Sequence, residues 1–339
     1  MKSSIDSYTN FPGEHCGSVA MRGLLNHYCG LNLPEPAIFG LASGIDCVYL
    51  QGEEMDPSRL IFGRSIQLET DLARNLQVDY REQTDPDDDH AWDTVREEIL
   101  CGRPTMLSGD IFYLDYREYT VHFPGHRFVL LGFDDASEKA MIADRIRVEP
   151  ELCSYGAVRQ SRNPPTGMST QNLWGRFHDH TIGRELIAAT RVALEHASRR
   201  MLGLEAKEST PGIQAHASSS GLEGLRRLAS EITGWGARED ARWVASYNAR
   251  CIEKFGNGGG NFRRLYAGFL DWAHALDPNL VPDSASATAW KAADGWTSLS
   301  QTLHDLSREN SNPQGWQLAG EQAREILGHE TQLFESIHP

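Results

Sequence analysis

An α/β domain joined to an all-α domain is the architecture the sequence predicts, and three observations carry it. Up to about residue 160 helical periodicities alternate with short β-rich runs, and beyond it helical patterns recur alone. Between the two lies SRNPPTGMS (161–169), whose two prolines and glycine deny the backbone both helix and ladder. A chain of 339 residues with 40% apolar and 23% charged side chains is long enough for two domains and has an ordinary globular composition. The expected domains are therefore 1–165 and 170–339.

The first helix is predicted over Gly17 to Tyr28, where Val19, Ala20, Leu24, Leu25 and Tyr28 recur at helical spacing and Gly30 stands ready as a C-cap. His90 to Cys101 repeats the signal through Trp92, Val95, Ile99 and Leu100. A strand should then open at Thr105 to Leu107. The strongest β signal is RFVLLGF (127–133), followed by Asp134 to Ser137 and a second run from Lys139 to Ile146, which together read as a hairpin. Helical patterns follow near 221–234, 238–254, 261–276 and 314–334. The small polar segment 207–221 reads as a loop among them.

Thirty-two Lys and Arg against 47 Asp and Glu leave a net charge of −15, which opposes the phosphate backbone of nucleic acid and an anionic membrane face. No run of about 18 apolar residues is present, and Met1 to Phe11 lacks the apolar core of a signal peptide, so a cytoplasmic protein is expected. The six cysteines (16, 29, 47, 101, 153 and 251) form no CxxC pair; they should be reduced, and one that matters should matter as a thiol.

One cysteine is placed for chemistry. In Gly13-Glu14-His15-Cys16-Gly17-Ser18 the sulfur occupies the first helical turn, where unpaired N–H groups and the positive dipole end favour thiolate over thiol. The competing reading is a small buried hydrophobe. His15 is a poor base for its neighbour, because successive residues at a helix start point to different sides. A base should come from elsewhere in the sequence. His126 opens the predicted hairpin, and with the turn centred on Asp135 it lies opposite Asp144, whose carboxylate would hold the imidazole in one tautomer. His122 is the competing base, in the less regular backbone before Pro124 and Gly125.

Cys at a helix head, His beginning a strand that ends in Gly-Phe-Asp-Asp, and Asp on the following strand together resemble the papain-like cysteine enzymes. The resemblance implies a papain-like catalytic domain with Cys16 as nucleophile, His126 as base and Asp144 as orienting residue. The family's oxyanion glutamine, six positions before the nucleophile, is Asn10 here. GEHCGSVAMRGLLNHYCG, IFGLASGIDCVYLQ, GRPTMLSGDIFYLDY and HRFVLLGFDD more specifically resemble the N-terminal domain of the butirosin biosynthesis protein H family. FGNGGGNFRRLYAGFLDWA (255–273) resembles the helical domain that commonly follows it.

That family implies acyl transfer from a carrier-protein or other thioester, through an acyl-enzyme, to a small-molecule amine in secondary-metabolite biosynthesis. The same triad serves a peptidase or thioesterase, and an idle cysteine on a scaffold is the non-enzyme alternative. The helical domain would bind the acceptor or act as a lid. No cofactor or metal is expected, nor a nucleic-acid or membrane partner; a homodimer stays open.

Other conspicuous residues have weaker readings. Asp110, after the strand from Thr105, either faces the site as a substrate-binding group, as His122 would, or serves a turn. His178 and His180 point apart on a helix and are not read as metal ligands. Gly256 to Gly260 should let a helix start close to another backbone, with Arg263 and Arg264 meeting an anionic substrate or lying on a solvated face. Trp235, Trp243, Trp272, Trp290, Trp296 and Trp316 should be mostly core. Arg159, Arg162, Arg199 and Arg200 would form the docking patch for an acidic carrier protein, or simply solvate a linker and a helix end.

Overall fold

The computed structural model describes residues 1–165, 169–204, 217–309 and 312–338. In chain order its elements are β1 (Lys2–Ser4), α1 (Cys16–Cys29), α2 (Glu35–Leu41), β2 (Ile45–Gln51), β3 (Arg59–Arg64), α3 (Leu68–Leu76), β4 (Tyr80–Gln83) and α4 (Asp88–Leu100). There follow β5 (Thr105–Gly109), β6 (His126–Asp134), β7 (Lys139–Ala143), β8 (Glu151–Ser154), α5 (Tyr155–Arg162) and β9 (Trp174–Phe177). The rest is α6 (Leu186–Met201), β10 (Ala217–Ser219), α7 (Gly221–Glu231), α8 (Ala241–Glu253), α9 (Arg263–Leu276), α10 (Asp283–Leu306) and α11 (Pro313–Ile337).

The chain divides into two compact units, and neither is one continuous stretch. The first comprises Met1–Ile38 and Leu76–Arg184; the second comprises Phe39–Asn75 and Glu185–Pro339. This differs from the expected 1–165 and 170–339: a segment read as part of the first domain is built into the second. The 207–216 and 166–168 portions of the two expected linkers lie outside the described residues.

The first unit is α/β. Its antiparallel sheet runs β4-β9-β5-β6-β7-β8, with β1 pairing the far end of β6. One core cluster gathers Trp92, Val95 and Ile99 from α4, Leu107 from β5, Phe128, Leu130 and Phe133 from β6, and Val158 from α5. Trp92, Val95 and Ile99 form the stripe the sequence shows at helical spacing, while Leu100, expected with them, is exposed.

The second unit is mostly helical and not all-α. It carries a three-stranded antiparallel sheet ordered β10-β2-β3. Ile45, Cys47 and Tyr49 of β2 and Ile61 of β3 are buried beside helices of the unit. Helix α10 was not evident from apolar periodicity because its buried face is built largely from Ala285, Ala289, Ala292 and Ala293; alanine is the best helix former but a weak hydrophobic marker. The glycine run behaves as expected. Gly260 has φ +57°, and a Cβ there would lie 2.8 Å from the Ala293 carbonyl oxygen, so α9 starts against the backbone of α10.

Candidate active site

Helix α1 begins at Cys16, and the N-cap is His15 in extended backbone. The Ser18 N–H donates to His15 Nδ1 at 3.2 Å, with Ser18 Oγ 2.9 Å from the same atom. A ring nitrogen thus takes the place of the usual cap oxygen, which requires Nδ1 to be unprotonated. The two amides just before the cysteine are held by one carboxylate: Glu14 N–H donates to Glu35 Oε2 at 2.9 Å and His15 N–H to Oε1 at 2.7 Å. Burial pushes the Glu35 carboxyl pKa up, and these two N–H bonds oppose the rise. Gly13 is required here, because a Cβ would fall 2.3 Å from Glu35 Oε2.

His126, the first residue of β6, comes into hydrogen-bond contact with Cys16. Its Nε2 lies 3.1 Å from Asp144 Oδ1, a charge-paired contact off the line of a straight hydrogen bond. With Nε2 turned to the carboxylate, Nδ1 is the ring nitrogen left for the sulfur. All three side chains are buried, Cys16 being 6% exposed. Burial alone would lower the imidazole pKa, but Asp144 and Cys16 outweigh it and raise it to about 10.

Asp144 accepts two further bonds, from Tyr116 Oη at 2.8 Å and from the Arg145 N–H at 2.7 Å. Burial would raise its carboxyl pKa, yet His126 and these donors hold it well below the usual carboxylate range. The site therefore favours an ionised Asp144 facing a protonated His126 beside the cysteine sulfur.

The register that unites His126 and Asp144 differs from the expected one. Asp134 pairs Lys139, a bulge follows at Leu130/Gly132, and the ladder ends at Val129 opposite Ala143. Asp144 therefore comes level with Phe128, two residues from His126. A shift of two preserves the sheet face, so the side chains still meet on a diagonal; a shift of one would have separated them.

Asn10 does not donate to an oxyanion. Its Nδ2 donates to the Asp144 and Arg147 carbonyls, both at 2.6 Å, which occupies both amide hydrogens and braces the segment after β7. His122 is not brought to Cys16; its Nδ1 lies 2.7 Å from Asp110 Oδ2, and its ring stacks on Phe112 with centroids 4.1 Å apart. Asp110 serves a turn as well, accepting the N–H groups of Phe112 at 3.1 Å and Phe123 at 2.8 Å.

Several other candidates are structural. Arg263 is buried in a bidentate ion pair with Glu330, at 2.7 and 2.8 Å, and meets no substrate surface. Arg162 is wholly buried and donates to the Asn172 carbonyl at 3.0 Å, Arg159 pairs with Asp89, and Arg200 pairs with Asp71 at 2.7 Å. Arg162 and Arg200 are therefore committed to partners inside their own units. Trp235, Trp296 and Trp316 are buried, whereas Trp243 and Trp290 are exposed. Among the described residues no group of three or more His, Cys, Asp or Glu could hold a metal ion. Within the same residues no helix is long and apolar enough to cross a membrane.

Glu35 and Tyr116 were missed by sequence reasoning. Their partners lie 20 and 28 positions away and follow no periodicity. Only the polar identity of Glu35, just after Pro34 at the head of a short apolar segment, hinted at a buried role.

Residues 15–145 match the family described as Butirosin biosynthesis protein H, N-terminal, and residues 156–337 match the Domain of unknown function (DUF4872). The second match spans more than half of the chain, which therefore belongs to the DUF4872 family and carries the N-terminal match ahead of it. No curated protein matches it. The N-terminal match contains Cys16, His126 and Asp144, and also the β2–β3 segment that packs into the second unit.

Proposed function

We propose that the protein is a cysteine-dependent acyltransferase that moves an acyl group from a thioester to an amine in secondary-metabolite biosynthesis. The observation that carries this reading is the cysteine in the first turn of α1, in contact with an imidazole whose other nitrogen is 3.1 Å from a buried carboxylate. The imidazolium and the N-terminal turn both favour thiolate at Cys16. That thiolate adds to the thioester carbonyl, and collapse of the tetrahedral adduct expels the donor thiolate, leaving the acyl group on Cys16 Sγ. His126 supplies the proton that the departing thiolate takes up. Now neutral, it accepts a proton from the incoming amine, and the amide leaves as Cys16 thiolate is regenerated.

Asp144 orients the ring and stabilises its charged form without taking the proton. Amides of the first turn, including that of Gly17, are the donors best placed by the helix for the developing oxyanion. The donor is a carrier-protein or other acyl thioester; the acceptor is a small-molecule amine. Family membership supports biosynthetic chemistry, and acyl-enzyme formation is what the three side chains support.

Incubation with a small acyl thioester, followed by peptide mapping, tests the reading. One acyl mass on the Cys16 peptide is expected, discharged by an amine to give an amide and absent in Cys16→Ala. Discharge to free acid alone, with amines present, would make the protein a thioesterase. No adduct on Cys16 would overturn the covalent mechanism.

A further inference from the structure

The first unit holds a polar cavity of about 460 Å³ at the opposite end of α1 from Cys16. It is bounded by His27 and Tyr28 near the end of α1, by the turn at Cys101 to Arg103 after α4, and by Arg176, His178 and His180 on and after β9. Tyr28 comes twelve positions after Cys16, about 18 Å along a helix, so this is a separate site.

The lining is unusual for this chain. Acidic residues outnumber basic ones by 47 to 32 over the sequence, yet the cavity wall carries two arginines and three histidines and no Asp or Glu. Behind the wall Glu98 is shared: Arg176 Nε lies 2.6 Å from Oε2, and Arg103 reaches both carboxylate oxygens, with Nη2 at 3.1 Å from Oε1, while Asp79, near His178, is paired with Arg81 at 2.6 Å. Two guanidinium charges thus face one carboxylate. Asp179, between the two histidines, turns its carboxylate to the amides of His180 and Thr181.

From this geometry we infer that the cavity is a binding site for a phosphate group, free or esterified to a small molecule. Arginine forks match phosphate oxygens, and donors arriving from three separate elements suit a tetrahedral anion better than a planar carboxylate with two oxygens. Burial, joined by the neighbouring charge of Arg176 and Arg81, lowers the His178 pKa; burial also lowers that of His27, with His180 adding to the effect. Two guanidinium groups and three imidazoles line the cavity with no acidic side chain in its wall, so its donors are set to engage a bound dianion. The inference is independent of the acyl-transfer reading.

Calorimetric titration of the full-length protein with inorganic phosphate, at constant ionic strength set by chloride, should show saturable one-to-one binding. Arg103→Gln and His178→Gln, both at the cavity wall and away from Cys16, should each weaken it by about tenfold or more, equivalent to about 1.4 kcal/mol. The imidazole NMR titrations of His27 and His178 should move up in pH when phosphate is bound. Phenyl phosphate binding more tightly than inorganic phosphate would identify an esterified ligand, and the reverse order a free one. Absence of saturable binding up to about 10 mM phosphate, or unchanged affinity in both variants, would overturn the site.

Discussion

At the scale of single residues, the chemistry of Cys16 depends on which side chains surround it more than on the cysteine itself. Burial raises the thiol pKa to about 11 at Cys29 and about 12 at Cys251, and further at Cys47 and Cys153. Those thiols stay protonated at neutral pH. His126, by contrast, keeps its proton up to about pH 10 and stabilises a thiolate below that. Iodoacetamide should therefore alkylate Cys16 readily at pH 6, and His126→Ala should move that reactivity up toward the ordinary thiol range near 8.5. Peptide mapping separates this signal from the exposed Cys101.

The same reasoning ranks the neighbours of the base. His126→Ala should cost far more turnover than His122→Ala, whose ring is engaged with Asp110. Asp144→Asn should fall between them, since in the proposed mechanism the carboxylate orients without transferring the proton. Tyr116→Phe removes one of the donors to Asp144 and should cost about 1–3 kcal/mol of stability at pH 7 by denaturant titration. Because the folded-state carboxyl pKa of Asp144 is depressed, its stabilisation is present above the unfolded value near 4 and disappears as pH falls through the folded one. The Tyr116→Phe deficit should accordingly shrink in acid.

At the scale of elements, the entry of α1 is a device for holding Cys16 in place. His15 caps it through Nδ1, and Glu35 takes the two preceding amides. His15→Ala should lower stability by about 0.5–2 kcal/mol, and His15→Ser, which restores a cap oxygen, should recover most of it with turnover retained, because the proposed base is His126. Equilibrium unfolding together with the thioester assay checks both halves of that statement. The β6–β7 hairpin is the second device. Its bulge and four-residue turn set a diagonal contact between His126 and Asp144, and the pairing survives because β faces repeat every two residues.

At the scale of the whole molecule, the second unit has a buried polar anchor as well as an apolar core. In the second unit Arg263 and Glu330 tie α9 to α11, and Trp296 Nε1 of α10 donates to Glu330 Oε1 at 2.6 Å. Removing one charge leaves the other buried and unpaired. Arg263→Met or Glu330→Met should cost about 3–5 kcal/mol, and the double replacement should restore much of the loss. Hydrogen exchange in α9 and α11 is the direct measurement, since it reports on that unit alone.

Local chemistry made part of this protein legible from its sequence alone. Apolar spacing marks α1 and α4, the run from Arg127 to Phe133 marks β6, and the position of Cys16 ahead of a helical stripe marks it as a first-turn thiol. Each signal is carried by residues within a few positions of one another, so periodicity and capping suffice to show it. Tertiary structure alone decided the rest. It joined Phe39–Asn75 to the C-terminal half, shifted the hairpin register, buried Arg162 and Arg263, and turned Asn10 from an oxyanion candidate into a brace for the Asp144 backbone. Asn10 and Asp144 are 134 positions apart. A hydrogen bond across that distance leaves no periodic trace, because its partners are selected by the packing of whole elements rather than by the conformation of either segment.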